Sequence, residues 1–262
     1  MEAYEIFASV YEELMDNVPY ETWAERIGSI LRKYGISDGL VLDLACGTGV
    51  LTRLLSRMGY DMIGVDASEE MLLRAREAED PGEKEILYLH QDMREFELYG
   101  TVEAVICACD SLNYILEEEE LFKVFSLVNN YLEKDGLFIF DMNTEYKFSK
   151  VLGDATIAEN REDLSFIWEN TYDGEEKINE YALTMYMEEE HGLYRRYEEF
   201  HYEKAYALEE IRRLLKKAGM QFVGAFDGYE MGEVSDTTER FLVIAREGHQ
   251  EQKYYKEVRK RK

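Results

Sequence analysis

The stretch Val41-Leu42-Asp43-Leu44-Ala45-Cys46-Gly47-Thr48-Gly49-Val50 restricts the fold of this chain more than any other. An apolar run gives way to small residues and two glycines, and the amphipathic segment Leu51 to Met58 follows without a gap. That order predicts a strand, a tight turn and a helix, the opening unit of a parallel α/β sheet. Glycines at 47 and 49 leave the backbone open to a ligand, and the N–H groups that start the helix are free to donate.

Two kinds of occupant suit such a turn, the pyrophosphate of a dinucleotide and S-adenosylmethionine. A pyrophosphate loop needs a third glycine where this chain has Thr52. Asp43, at the end of the strand, would repel a pyrophosphate but suits a ligand carrying an ammonium and a sulfonium. A second expected strand, 60–65, leads to Asp66, whose carboxylate can accept from two ribose hydroxyls.

These residues resemble a known family, the class I S-adenosylmethionine-dependent methyltransferases. The resemblance rests on Asp43-Leu44-Ala45-Cys46-Gly47-Thr48-Gly49, on Gly64-Val65-Asp66-Ala67-Ser68 followed by Met71-Leu72, and on Gln91-Asp92-Met93. It covers 38–144 and resumes near 205. It implies a doubly wound, Rossmann-like α/β fold with a seven-stranded sheet whose last strand is antiparallel beside the fifth. It also implies S-adenosylmethionine as cofactor, held by Asp43, Ala45, Gly47, Gly49, Asp66, Ala67 and Cys109. By the same resemblance Met71 packs on the adenine, Gln91-Asp92-Met93 holds its edge, and Tyr11 touches the methionine part.

Further along, the apolar segment 102–108 reads as a strand buried on both faces, and it delivers Cys109-Asp110-Ser111-Leu112-Asn113-Tyr114. Ligands of open parallel sheets sit beyond the carboxyl ends of the strands. Asp110, Asn113 and Tyr114 are therefore expected at the acceptor, or else Asp110 or Ser111 caps the next helix. Between 145 and 206 the pattern changes to long alternating segments, 165–172, 181–187 and 194–206, with turns at Asp173-Gly174 and His191-Gly192. This predicts an inserted antiparallel β sheet, and the resemblance implies that it serves as a lid over the active site. Its aromatic residues, Trp168 and Tyr186 among them, either line a substrate pocket or pair across strands.

The expected organisation is a core of 1–144 and 207–248, with 1–36 as a helical cap (helices 2–16 and 20–34), the insert at 145–206 and a basic tail at 249–262. In the tail region, Lys253 to Lys262 holds six of the chain's 30 basic residues. Net charge is −26, so the body ahead of the tail is strongly acidic and argues against nucleic acid as substrate. The insert, with sixteen acidic and seven basic residues, favours an amine. By the same resemblance, the insert is also expected as a homodimer contact.

Neither a bilayer-spanning run nor a secretory leader is evident, which leads to the expectation of a cytoplasmic protein. The three cysteines, 46, 107 and 109, lack the spacing of a zinc site, so free thiols and no metal are expected. Methyl transfer from a sulfonium needs alignment and a dry site more than a nucleophile. Where the acceptor must lose a proton, Asp110, His201 or a lid tyrosine can take it. The rival readings are a nicotinamide-dependent oxidoreductase and a cofactor-binding module without catalysis.

Overall fold

The computed structural model describes residues 10–80, 82–189 and 192–248. The start of the first expected helix, the basic tail and His191 of the second turn lie outside the described residues. Residues 10–14 are helical, and α1 (Tyr20–Lys33) follows, with Pro19 as its N-cap residue and Trp23, Ala24, Ile27, Ile30 and Leu31 buried along one stripe.

The core then alternates strand and helix: β1 (Leu40–Leu44), α2 (Val50–Arg57), β2 (Asp61–Asp66), α3 (Glu69–Glu77), β3 (Leu87–His90), β4 (Val102–Cys107), α4 (Glu118–Tyr131) and β5 (Leu132–Asn143). Ser68 caps α3 as its sequence suggests, its hydroxyl accepting from the Met71 N–H at 3.2 Å. Four insert strands come next, β6 (Thr156–Asn160), β7 (Leu164–Asp173), β8 (Ile178–Glu189) and β9 (Leu193–Lys204). The chain ends its described part with α5 (Leu208–Lys217), β10 (Gln221–Asp227) and β11 (Arg240–Arg246).

The main sheet has the order β10-β11-β5-β4-β1-β2-β3, and β11 runs antiparallel to both of its neighbours. β1 pairs in parallel with β2 on one side and β4 on the other, so the strand order reverses at β1 and a crevice opens beyond the ends of β1 and β4. One face of the sheet is covered by α4 and α5 through Val124, Phe125, Val128 and Leu214. The other is covered by the first three helices through Ile27, Leu31, Leu55 and Leu72. Among the described residues no helix is long and apolar enough to cross a membrane.

The insert is a separate antiparallel sheet of order β6-β7-β8-β9. It has one strand more than the alternating segments suggest, because every residue of β6 is exposed and the strand carries no apolar alternation to read. Residues 147–152 form a wide π-type helix before it. One face of this sheet points inward: Val10 packs there against Leu164, Phe166, Leu183 and Met185, joined by Leu14. Arg161, ahead of β7, donates to the Glu13 carbonyl and pairs with Asp16 at 3.2 Å. The helical turn 10–14 is thereby fastened to the insert on one side. On the other, Glu12 reaches Arg53 of α2 at 3.6 Å.

Candidate active site

The turn after β1 forms one wall of a cleft enclosing about 390 Å³ of space that is open to solvent, and Tyr11, Tyr20, Ala108, Cys109 and Ser111 line the opposite side. Of the residues expected to hold a cofactor, Tyr11, Asp43, Ala45, Gly47 and Cys109 line it. Asp43 is the one charged side chain in the described lining.

Burial pushes the Asp43 carboxyl up to about 7, against the opposing hydrogen bond that Thr52 donates to it at 2.6 Å. Thr52 occupies the place of the third glycine of a pyrophosphate loop. In that place its hydroxyl orients an acid, which a glycine cannot do. Asp66 lies behind the turn, its Oδ2 accepting from the Gly47 N–H and its Oδ1 from the Ser68 N–H, both at 2.8 Å. Burial raises its pKa, while three backbone donors, those of Ser68, Gly47 and Ala67, work in the other direction.

The two glycines have different work to do. Gly47 adopts φ +54°, and an added Cβ there would find only the Tyr11 ring, at 4.0 Å, so this position does leave room for a ligand. At Gly49, with φ +73°, a Cβ would come within 2.5 Å of the Tyr88 hydroxyl and 3.1 Å of Ala75. Gly49 thus permits packing between α2, α3 and β3 rather than ligand approach, which corrects the reading from sequence. Gly49→Ala is expected to cost roughly 2 kcal/mol or more, because it combines a left-handed backbone with a clash; urea unfolding of the variant measures this.

The adenine side departs from expectation in part. Gln91 spends its side chain on the Glu97 backbone, accepting at 2.6 Å and donating at 3.2 Å. Both Asp92 oxygens are gripped by Arg94, the shortest contact being 2.6 Å, and this holds the carboxyl below its ordinary pKa. Met93 packs at the edge of the core, and Met71 is buried on α3. The Ala67 carbonyl lies 2.9 Å from Nε2 of His90. None of these residues, nor Gly49 or Asp66, is in the described lining of the cleft.

The loop after β4 holds the larger correction. Cys109 and Asp110 both take left-handed conformations, φ 58° and 53°, unusual for residues with a side chain. Asp141, fully buried on β5, fixes them by accepting from the Cys109 N–H at 3.1 Å and the Asp110 N–H at 2.6 Å. Arg240 of β11 closes the knot, donating to Asp110 at 2.8 Å and Asp141 at 2.6 Å, while Tyr229 donates to Asp141 at 2.6 Å. Asn143 takes the other Asp110 oxygen at 2.6 Å. Burial raises the Asp110 pKa, but the Arg240 and Lys147 charges outweigh it and hold the carboxyl below its ordinary range. A carboxylate so occupied is a poor base, and Asp110 is a structural anchor instead.

Asn113 is likewise structural: it is fully buried, donates to the carbonyls of Asn143 and Lys204, and accepts from the Asn143 N–H at 2.9 Å. Tyr186 pairs across the insert with Ser165 and Arg196, on the face opposite Trp168, because side chains alternate along a strand. Tyr181, of the opposite parity on the same strand, shares the inner face with Trp168, at 5.1 Å between ring centroids. His201 is also inward, its Nδ1 3.3 Å from the Tyr114 hydroxyl and its Nε2 3.2 Å from Glu199. Glu203 completes that strand's buried polar row. Desolvation and the nearby Asp110 charge push it up to about 8.

All three cysteines are free, and burial raises the pKa of each thiol. They are held as thiols, with little nucleophilic thiolate.

Comparison with known proteins agrees with this geometry. The profile of a methyltransferase domain matches residues 41–136. YqeM of Bacillus subtilis (strain 168), an inferred methyltransferase, is 34% identical over 243 residues, covering 92% of this chain and 96% of that protein. The crystal structure of an S-adenosylmethionine-dependent methyltransferase from Clostridium acetobutylicum ATCC 824 superposes with a TM-score of 0.84 at 31% identity, covering 94% of this chain and 99% of that one. A shorter match, 30% over 123 residues, joins 47% of this chain to 50% of the dTDP-3-amino-3,4,6-trideoxy-alpha-D-glucopyranose N,N-dimethyltransferase of Streptomyces venezuelae.

Proposed function

Because the chain belongs to the S-adenosylmethionine-dependent methyltransferases, we propose that it methylates a small molecule by direct in-line transfer, the acceptor lying between the cleft and the insert. When bound, S-adenosylmethionine supplies a methyl group already activated by its sulfonium charge. The residues fit such a cation, since the cleft's described lining has a buried carboxylate and no basic side chain. This observation carries the reading.

In it, Asp43 faces the amino-acid end of the cofactor. Gly47 lets the backbone approach, and Asp66, already holding the turn, offers its remaining lone pairs to the ribose hydroxyls. Tyr11 and Tyr20 cover the methionine end, their pKa values raised by burial so that both stay neutral hydroxyls at ordinary pH. Met71 and the backbone of Met93 serve the adenine. The Asp141–Arg240 knot keeps the Cys109–Asp110 turn in place beside the methyl group and acts only as a positioning device. The insert and the helical turn 10–14 exclude water from the reacting atoms. The amino-sugar relative makes a small amine acceptor the natural class to test first.

The raised pKa of Asp43 gives this reading a pH signature. In the ligand-free protein the carboxyl is largely protonated below about 7, whereas a bound cation favours the carboxylate. Affinity for S-adenosylmethionine is therefore expected to rise with pH up to about 7, by at most about tenfold per unit, and then level off. Protection runs the other way for the empty protein: a carboxyl whose folded pKa lies above the unfolded 3.8 loses its stabilising contribution as pH climbs through that window. Calorimetry between pH 5.5 and 8.5 with the parent and Asp43→Asn measures it. A slope that persists in the variant would remove Asp43 from the assignment.

A further inference from the structure

We propose that the inner face of the insert is a recognition site for an aliphatic ammonium group, with Glu199 as the residue that selects it; this rests on the methyltransferase reading above and names its acceptor class. Cross-strand register puts Trp168, Leu183 and Glu199 in one row of the insert and Asn170, Tyr181 and His201 in the next. The half of this face bearing Phe166 and Met185 is covered by Val10 and Leu14. Leu183 and Trp168 form the border of that cluster, and one row further on His201 meets Tyr114, whose ring stands edge-on to it at 5.9 Å.

Glu199 is 95% buried, yet its Oε1 has no hydrogen-bond partner among the described residues. Its Oε2 lies 3.2 Å from His201 Nε2 without the alignment of a hydrogen bond. The indole N–H of Trp168, in the same row, and Oδ1 of Asn179, two positions before Tyr181 on β8, are also buried without a hydrogen-bond partner among the described residues. Native proteins satisfy nearly all of their buried polar atoms, and a buried carboxylate left with an open oxygen is among the costliest exceptions. Several such atoms gathered on one face therefore mark where a ligand makes the missing bonds.

The chemistry of the face selects the ligand. A carboxyl oxygen without a partner calls for an N–H or O–H donor, and a cationic donor gains most. Aromatic walls from Trp168 and Tyr181, perpendicular at 83°, add attraction for a cation and for its alkyl substituents. An anionic group such as a phosphate would set acceptor against acceptor at Glu199. The position also suits an acceptor, because Tyr114 lies three residues beyond Ser111, which lines the cofactor cleft.

The test uses the full chain saturated with S-adenosylhomocysteine and follows Trp168 fluorescence in a Trp23→Phe background, where it is the remaining tryptophan of two. A series of primary amines from methylamine to cyclohexylamine is titrated, each against the alcohol of the same carbon skeleton. At least one amine is expected to bind about tenfold or more tightly than its alcohol, the span of one charge-assisted hydrogen bond. Glu199→Gln is expected to bring that ratio within about threefold, while Glu198→Gln, one residue along on the outer face, leaves it as it was. Equal binding of every amine and alcohol pair, or a preference that survives Glu199→Gln, overturns the proposal. S-adenosylhomocysteine titrated alone into the same variants separates this from the broader reading: its failure to bind the parent protein would reject the methyltransferase function, whatever the amines do.

Discussion

Asp66→Ala is expected to lose binding of S-adenosylmethionine and S-adenosylhomocysteine by about a hundredfold or more while remaining folded. The carboxylate has two duties in this account. It accepts from Gly47 and Ser68 and so holds the glycine turn in shape, and it offers its remaining lone pairs to the ribose hydroxyls. Hydrogen bonds to a charged group contribute about 1.5–3 kcal/mol each, so losing two of them corresponds to a factor of at least 10² in affinity. Asp66→Asn keeps one carbonyl oxygen for the turn and should fall between the two. Calorimetric titration with S-adenosylhomocysteine, with circular dichroism as the control for folding, measures the series. Undiminished affinity in Asp66→Ala would withdraw the ribose assignment.

Arg240→Leu is expected to be the most destabilising single change outside the apolar core. The arginine neutralises Asp110 and Asp141 together, and removing it leaves two buried carboxylates facing each other near Glu203. Breaking a buried ion pair by removing one partner costs about 3–5 kcal/mol. The same change frees the left-handed Cys109–Asp110 turn, so residual folded protein should bind the cofactor more weakly as well. Urea midpoints for the parent, Arg240→Leu and the double variant Arg240→Leu/Asp110→Asn test the mechanism. The second change should restore part of the loss, because one of the stranded charges is gone. If the double variant is no more stable than the single one, the loss comes from packing of the guanidinium over the Trp23 ring, 5.4 Å away, and not from charge.

What the sequence made legible follows from which signals are local. The strand, turn and helix at 40–57 announce themselves because an apolar run, small residues and an amphipathic repeat are adjacent in the chain. The antiparallel last strand entered through family resemblance, since nothing within Arg240–Arg246 states its direction. β6 was invisible because an exposed strand carries no pattern.

The site shows the same division. Asp43 and Asp66 stand at strand ends, where position alone suggests a ligand role. Asp110 occupies an equally suggestive position, yet its partner is more than a hundred residues away in sequence, on β11. A signal for that partner did exist. Phe138-Ile139-Phe140-Asp141-Met142 places an acid inside the fully buried part of a strand, and Arg240 opens another apolar strand; charges in such places seldom stand unless they are paired. Tyr186 and Tyr181 show a finer limit. Alternation says that they lie on opposite faces, but which face is inward depends on what the insert packs against, and only the assembled structure supplies that.

On this reading the turn after β1, with Asp43 and Asp66, binds a cationic methyl donor. The decisive titration uses the full chain at pH 8.5, above the Asp43 carboxyl's raised pKa of about 7. S-adenosylmethionine and S-adenosylhomocysteine should each give a saturable, one-to-one heat that disappears in the double variant Asp43→Asn/Asp66→Ala, and a nicotinamide dinucleotide should give none. Silence from both sulfur compounds, with saturable binding of the dinucleotide, would contradict it.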